Sequence, residues 1–366
     1  MLPVTREWSW SRGHGVKARV IMLGPSLDSM GGVASVAGTL LSSRLTEECD
    51  VRYIGTVSEG SKAHKALVFA ESWLRFRRLV GGCDIVHVHM ALGNSFPRKL
   101  QFIKAARRAG KKVIIHMHEG QFDPQFRAMT DERRAAVVST LEGADELILL
   151  SEEWLDYFNR ILPNPPRMTV LHNAVEVPAC AKRSYAARTV LLLGKHGARK
   201  SPDVLLRALA PLCAKYPDLE AHFGGNGDVD TYERLAAELG IADNCTFHGW
   251  VAGEGREDLF DRCTVYCLPS RNEGMPMSVL EAMAHGLATV ATPVGGIPQI
   301  IEEGVSGYMT PVGDSNALCV RLDELFSDEG LRRRVGEAGR EVVRSRFGVD
   351  EQANKLIGIY EEVLAR

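Results

Sequence analysis

Short apolar runs alternate with helical patterns along almost the whole chain, and this alternation stops once and then restarts. The first series predicts strands at Arg19–Gly24, Val51–Gly55, Asp84–Met90, Val113–His118, Glu146–Ser151 and Met168–His172. After the gap EVPACAKRSYAA (176–187), the second predicts Thr189–Gly194, Leu219–Gly224, Cys245–Gly249, Val265–Pro269 and Ala288–Thr292. Strands separated by helical stretches form βαβ units, and βαβ units give parallel sheets. The chain is therefore expected to be α/β, with two Rossmann-like doubly wound domains joined by one linker. Ligands of such sheets sit beyond the C-terminal strand ends, so the domains are expected to face a shared cleft.

The bulk numbers fit two domains and exclude several classes of function. At 366 residues the chain is long for a single core, and 45% apolar with 25% charged residues is ordinary for a folded globular protein. There is no run of eighteen apolar residues, and MLPVTREWSWSRGHGVKARV lacks the apolar core of a signal peptide. The eight cysteines are scattered, the closest pair being Cys263 and Cys267, so reduced thiols in a cytoplasmic protein are expected.

The net charge of −2 hides an asymmetry. Residues 1–175 hold 23 basic against 18 acidic side chains, and the remainder hold 21 against 28. Lys62–Lys112 alone holds twelve basic and two acidic side chains, a block that attracts an anionic partner. The acidic second half argues against a protein that coats nucleic acid. An anionic membrane surface fits, because ESWLRFRRLV (71–80) and RKLQFIKAARRAGKK (98–112) read as basic helices with apolar faces. A solvated helix face is the plain alternative. The first eighteen residues read as a loose extension, in which Trp8 and Trp10 could touch lipid.

Several strand-to-helix loops carry chemistry. MLGPSLDSMGGVASVAG (22–38) opens a helix, and Gly31 and Gly32 let backbone N–H groups approach an anion at its start. G-x-G-x-x-G is absent, which removes a nicotinamide dehydrogenase. In GKHGARKS (194–201), Lys195 and Lys200 can converge on a diphosphate, with His196 and Arg199 adding positive potential. Asp228 and Asp230 form an Asp-x-Asp pair of the kind that holds a divalent metal. They fall at a predicted helix start, where the dipole favours acids anyway, and no further carboxylates cluster with them, so no metal site is expected. HVHM (87–90) and HMHEG (116–120) end neighbouring strands and place His118 and Glu119 at the cleft.

RNEGMPMSVLEAMAHG (271–286) carries Glu273 and Glu281, with Pro276 expected near the first position of a helix. Eight helical steps amount to about 12 Å of rise. An acid–base pair working on one glycosidic bond sits about 5–9.5 Å apart. This spacing suits an extended ligand instead, with a diphosphate on the free N–H groups of Gly274–Ser278 and hydroxyls at either side.

Together these residues resemble the retaining glycosyltransferase family 4, which has the two-domain GT-B fold. The Glu273–Glu281 stretch is the most specific signature. VATPVGGIPQII (290–301), the GK…K loop at 194–200, FHGWV (247–251), LHNAVEV (171–177), the GG turn and HMHEG extend the match from about Arg19 to the C-terminus. The resemblance implies domains at 19–178 and 188–348, an extension at 1–18, and a helix at 349–366 packing back on the N-terminal domain. It implies that Lys195 and Lys200 hold the donor diphosphate, with Gly31 and Gly32 close by across the cleft. Glu273, Gly274, Met275, Pro276 and Met277 would hold the transferred sugar, Glu281 the ribose, and Trp250 and Val251 the base. His118 would contact the sugar near the reacting carbon, making His118, Glu273 and Lys200 the candidate catalytic residues. Two positions depart from the pattern: Lys195 stands where arginine is usual, and Gln299 where an acid usually follows GGIP.

The implied activity is metal- and cofactor-independent transfer of a hexose-type sugar from a UDP- or GDP-sugar. The acceptor would be a lipid-linked (polyprenyl-diphosphate) or glycan acceptor in surface polysaccharide or glycolipid synthesis. The implied place is the inner face of the plasma membrane, peripherally bound. A nucleotide-sugar epimerase or hydrolase of the same fold would use the same donor without an acceptor. A two-lobed solute-binding protein is generally exported, and the sequence shows no signal peptide.

Overall fold

The computed structural model describes residue 10 and residues 17–179 and 183–366. Trp8 and the middle of the 176–187 gap lie outside the described residues. The chain divides into two compact units, one formed by residues up to Ala174 together with Val349–Arg366, the other by Val175–Gly348.

In the first unit β1 (Arg19–Gly24), β2 (Asp50–Gly55), β3 (Ile85–Met90), β4 (Lys112–Met117), β5 (Glu146–Leu149) and β6 (Met168–Val170) form one sheet, ordered β2-β1-β3-β4-β5-β6. The second unit holds β7 (Thr189–Leu193), β8 (Glu220–Gly224), β9 (Cys245–Gly249), β10 (Val265–Leu268), β11 (Ala288–Ala291) and β12 (Tyr308–Met309), ordered β12-β11-β10-β7-β8-β9. The pairings that build both sheets are parallel, for example Arg19–Gly24 against Asp50–Gly55 and Thr189–Leu193 against Glu220–Gly224. Central parallel strands are covered on both faces and so read as unbroken apolar runs. All five residues of TVLLL in β7 and all six of IVHVHM in β3 are buried. The fold is α/β with two Rossmann-like sheets, as the alternation predicted.

Strand order reverses once in each sheet, between β1 and β3 in the first and between β7 and β10 in the second. At such a point the crossovers leave toward opposite faces, and the loops after the two strands part to leave a crevice. The chemistry of this chain gathers at those two places.

The basic block lies on the helices Lys62–Leu79 and Ser95–Arg108, whose apolar faces are packed into the first core. The Phe102 ring meets Trp73 at 5.3 Å and Phe76 at 5.1 Å, both edge to face. The expectation of a basic surface over 62–112 needs correction, because part of the charge serves the fold. Lys99 is only 3% exposed and donates to the His89 carbonyl. Arg107 Nη2 donates to the Thr140 carbonyl (2.8 Å) and Lys111 Nζ to that of Gly81 (2.9 Å). Trp10 is also corrected. Its indole N–H donates to the Leu79 carbonyl at 3.0 Å, so it packs on protein rather than on lipid. Leu67 and Leu74, one heptad apart on the first of these helices, remain 70% and 58% exposed.

The last helix, Val349–Leu364, completes the first unit. Tyr360 is fully buried, and its hydroxyl shares a 2.6 Å hydrogen bond with His87 Nδ1. Among the described residues no helix is long and apolar enough to cross a membrane.

Candidate active site

The second switch point is built from the loops Gly194–Ser201 after β7 and Pro269–Pro276 after β10. The Arg271 N–H donates to the Arg199 carbonyl at 2.8 Å and ties the two together. Ser201 ends the first loop at φ 49°, the only non-glycine residue with positive φ among the described residues. Such a position costs about 1–3 kcal/mol and persists only when its surroundings fix it. Here Pro202 follows directly, disfavouring the helical region for Ser201, and the Ser201 hydroxyl donates to the Ala198 carbonyl at 3.0 Å. The turn sends Lys200 inward. Gly194, at φ 145°, is required beside it, since a Cβ there would lie 2.8 Å from Lys200 Cε.

Lys200 Nζ lies 2.8 Å from Glu273 Oε1, and Arg199 Nη1 lies 3.0 Å from Oε2. The Ser270 hydroxyl donates to Oε1 at 2.8 Å. Lys200 and Glu273 are both 6% exposed. Burial pushes the Glu273 carboxyl up, but Lys200 and then Arg199 outweigh it, and the net shift is down. Glu273 is therefore a carboxylate at neutral pH, and the cluster still carries net positive charge. Lys195 lies exposed at the start of the same loop, with no carboxylate partner among the described residues.

The segment Gly274–Pro276 leads into the helix Met277–Ala284. Pro276 is its N-cap rather than its first residue, with ψ 117° outside the helical region, a small correction to the expected start. That helix has no side-chain cap and no acid in its first turn, so its leading N–H groups are open to an anion. The VGGIP loop presses against the same backbone. Gly296 N–H donates to the Gly274 carbonyl at 2.6 Å, and a Cβ on Gly295, at φ 58°, would lie 2.1 Å from the Glu273 carbonyl oxygen. Gln299, on the short helix that follows, keeps a buried Oε1 without a partner.

Glu281, on the same helix, is gripped by Arg256, whose Nη1 lies 3.0 Å from Oε1. Burial raises the Glu281 carboxyl, Arg256 opposes that, and the net shift is up. Trp250 and Val251 follow β9, and the Trp250 indole is 48% exposed. Arg256 and Ser270 escaped the sequence reading. Ser270, three residues before Glu273, could have been proposed from local spacing. Arg256 pairs across two helices and leaves no local signal.

His196 is a correction. It is 2% exposed, with the Phe223, Tyr232 and Phe247 rings 6.1–6.3 Å away, and burial lowers its pKa. It is neutral and adds nothing to the positive potential. Asp228 precedes the helix Val229–Glu238 and Asp230 sits in its first turn.

In the first unit, Gly31 (φ 137°) and Gly32 are exposed at the start of the helix Gly32–Leu41, which also lacks a side-chain cap and a first-turn acid. His118 Nε2 shares a 2.8 Å hydrogen bond with His89 Nδ1, and its backbone N–H donates to the Met90 carbonyl. Burial, then Lys99 and His87, push the His118 pKa down to about 3, so the ring is neutral. Glu119 Oε1 is turned to the Gln121 N–H at 3.0 Å. His87, His89 and His116 offer ligand atoms within 4.8 Å of one another, the one group of described residues whose donors could surround a metal ion. Most of those nitrogens are already engaged: His87 bonds Tyr360 through Nδ1 and His116 through Nε2.

Two parallel Rossmann-like sheets, the second carrying Lys200, Glu273 and an uncapped helix start at its switch point, define a glycosyltransferase of the GT-B type. The chain belongs to the family 4-type glycosyltransferases. Residues 184–342 match the family described as "Glycosyl transferases group 1", and residues 6–174 match the "Glycosyl transferase 4-like domain". The D-inositol 3-phosphate glycosyltransferase of Streptomyces avermitilis is 28% identical over 309 residues, covering 76% of this chain and 65% of that protein. EpsD of Bacillus subtilis, named as a glycosyltransferase, is 29% identical over 296 residues, 76% of each chain. The chain thus spans about two thirds to three quarters of the length of these relatives. Among solved structures, sucrose-phosphate synthase from Thermosynechococcus elongatus superposes with a TM-score of 0.80 at 17% identity, covering 95% of this chain and 99% of the other. HepE of Anabaena in complex with UDP gives 0.75 at 17% identity, covering 94% and 100%.

Proposed function

We propose that the chain is a retaining, metal-independent glycosyltransferase that moves a hexose-type sugar from a UDP- or GDP-sugar to a lipid-linked or glycan acceptor. The observation that carries this reading is the Lys200–Glu273–Arg199 cluster beside the open start of the helix Met277–Ala284. A net positive cluster next to free N–H groups suits a diphosphate that gains charge as its sugar departs. Lys200 and Lys195 take the phosphate oxygens. Contact with the diphosphate draws Lys200 partly away from Glu273, which then accepts hydrogen bonds from sugar hydroxyls. Arg256 holds one Glu281 oxygen and leaves the other to the ribose, while Trp250 offers its exposed face to the base. His118, neutral, supplies a hydrogen bond to the sugar rather than a charge. With these cations on the leaving group, an oxocarbenium-like sugar can form and be attacked from the same face, the departing phosphate taking the acceptor proton.

The relatives support the choice of substrates. HepE has been solved with UDP and glucose, and one relative, 31% identical over 204 residues, is the phosphatidyl-myo-inositol mannosyltransferase of Mycobacterium leprae. Leu67 and Leu74, exposed on a basic helix, support a peripheral place on the anionic inner face of the plasma membrane and a role in surface polysaccharide or glycolipid synthesis. Product analysis with a panel of nucleotide sugars, with and without a lipid-linked acceptor and with a chelator, tests the reading. Acceptor-dependent product of retained anomeric configuration, unaffected by chelation, is expected. An isomerised nucleotide or free sugar formed without acceptor would instead establish an epimerase or hydrolase.

A further inference from the structure

The first sheet has its own switch point, and the loops after β1, β2 and β3 line a half-open cavity there of about 170 Å³, many times the room one water needs. Val33, Val57 and Met90 supply apolar wall, and His89, Arg98 and Lys99 supply polar groups. Lys99 is buried against a largely apolar wall and Arg98 half-buried beside it, and a cation so placed should be paired, because burying an unpaired charge is costly. Among the described residues neither has a carboxylate partner. Lys99 Nζ donates only to the His89 carbonyl. Arg98 reaches only the Asn94 carbonyl, through Nη1 at 3.4 Å, and its buried Nε has no partner. His89 is 0% exposed, and its Nε2 is also without a partner. The first turns of two helices, Gly32–Leu41 and Ser95–Arg108, contribute residues to the wall, and neither has a side-chain cap or a first-turn acid. The two basic side chains and the two uncapped helix starts favour negative charge, and among the described residues no carboxylate lines the cavity.

We propose that this cavity is a subsite for a phosphate ester group of the acceptor, recognised by Arg98 and Lys99. Arg98 offers a fork of donors to two phosphate oxygens, Lys99 a point charge, and the unpaired His89 nitrogen a third contact. Burial pushes Lys99 down to about 7, as expected of a lysine lacking the anion it is placed to meet. The inference rests on the transferase reading only for what the phosphate belongs to, since binding of phosphate itself does not depend on it.

The test is calorimetric titration of the full chain carrying both Lys195→Ala and Lys200→Ala, which remove the two lysines of the phosphate-binding candidate in the second unit, with inorganic pyrophosphate as the probe. Adding Arg98→Gln, or Lys99→Met in a separate variant, is expected to weaken pyrophosphate binding at least about tenfold. Farnesyl diphosphate and inositol phosphate are then used as competitors. Displacement by the first marks a lipid-linked ester, and by the second a soluble one. Affinity within twofold in both variants would overturn the subsite, and binding that neither ester displaces would overturn its assignment to an acceptor. Nucleotide-sugar titration separates the two readings: Arg98→Gln alone keeps donor affinity. If Lys200→Ala also keeps it, the donor site fails while the phosphate result stands.

Discussion

Each sheet is parallel with a single switch point, reached through a different strand order, and the two switch points treat their basic side chains in opposite ways. In the second unit Lys200 and Arg199 converge on Glu273, whose carboxylate holds them in place. In the first, Arg98 and Lys99 stand beside a cavity with only carbonyl oxygens for partners. One site carries its own carboxylate, which ties both cations down and leaves one positive charge to spare, and can wait assembled. The other is left positive, and its folded state becomes comfortable only when charge arrives from outside. A carboxylate that a ligand displaces and a carboxylate that was never there are two ways of preparing for the same kind of group.

The largest expected effect is on turnover. Lys200→Ala should lower transfer on the order of 10²- to 10³-fold while circular dichroism shows an unchanged fold. Near-normal release of nucleoside diphosphate would mean that the second switch point is not where the sugar leaves. Next comes a matched pair of substitutions read by chemical denaturation in phosphate-free buffer. Lys200→Met strands a buried carboxylate with only Arg199 and Ser270, and should cost about 2–4 kcal/mol. Lys99→Met removes an unpaired charge and should be neutral or stabilising at pH 7. The two also differ in pH dependence. Lys99 has a lower pKa folded (about 7) than its ordinary 10.5, so between those values the unfolded chain binds more protons. Stability therefore rises with pH across that window, and Lys99→Met should flatten the rise. Equal costs for the two substitutions would break the comparison.

A smaller effect has the opposite sign. Glu273 is held below its ordinary 4.5 in the folded state, so its stabilisation is present above that value and lost as pH falls through the lower, folded one. Glu273→Gln should remove about 1–2 kcal/mol at pH 7 and make the acid limb of the stability profile shallower. The smallest effect is at the surface. Trp250→Ala should weaken nucleotide-sugar binding about tenfold through lost base stacking, with stability within about 0.5 kcal/mol of the parent.

Much of this could be read before any coordinates. Eleven strands announced themselves as apolar runs between helical stretches. The twelfth, Tyr308–Met309, is two residues long and too short to show a period. The Glu273–Glu281 stretch and the Lys195–Lys200 loop were visible because each is local, and its geometry follows from one strand-to-helix turn. What stayed hidden depends on contacts across the sheet. His196 looked like a cation until rings from β8 and β9 closed around it. Arg256 needed the helix Glu254–Arg262 to lie against Glu281. Arg98 and Lys99 were counted as surface charge, since composition records how many charges a helix carries and not which of them turns inward.

The last helix has a consequence for how the protein is made. Tyr360 and its neighbours belong to the first unit, but about 190 residues separate them from Ala174. At about 5–20 residues per second, a ribosome needs roughly 10–40 s to cross that distance. The second unit is whole within the chain as soon as Gly348 has emerged, whereas the first, begun earlier, still lacks a wall. Until then His87 has no tyrosine, and the apolar surface that Leu356, Ile357 and Val363 will cover lies bare. The half synthesised first is the half finished last, so chaperone capture and early proteolysis should fall on it.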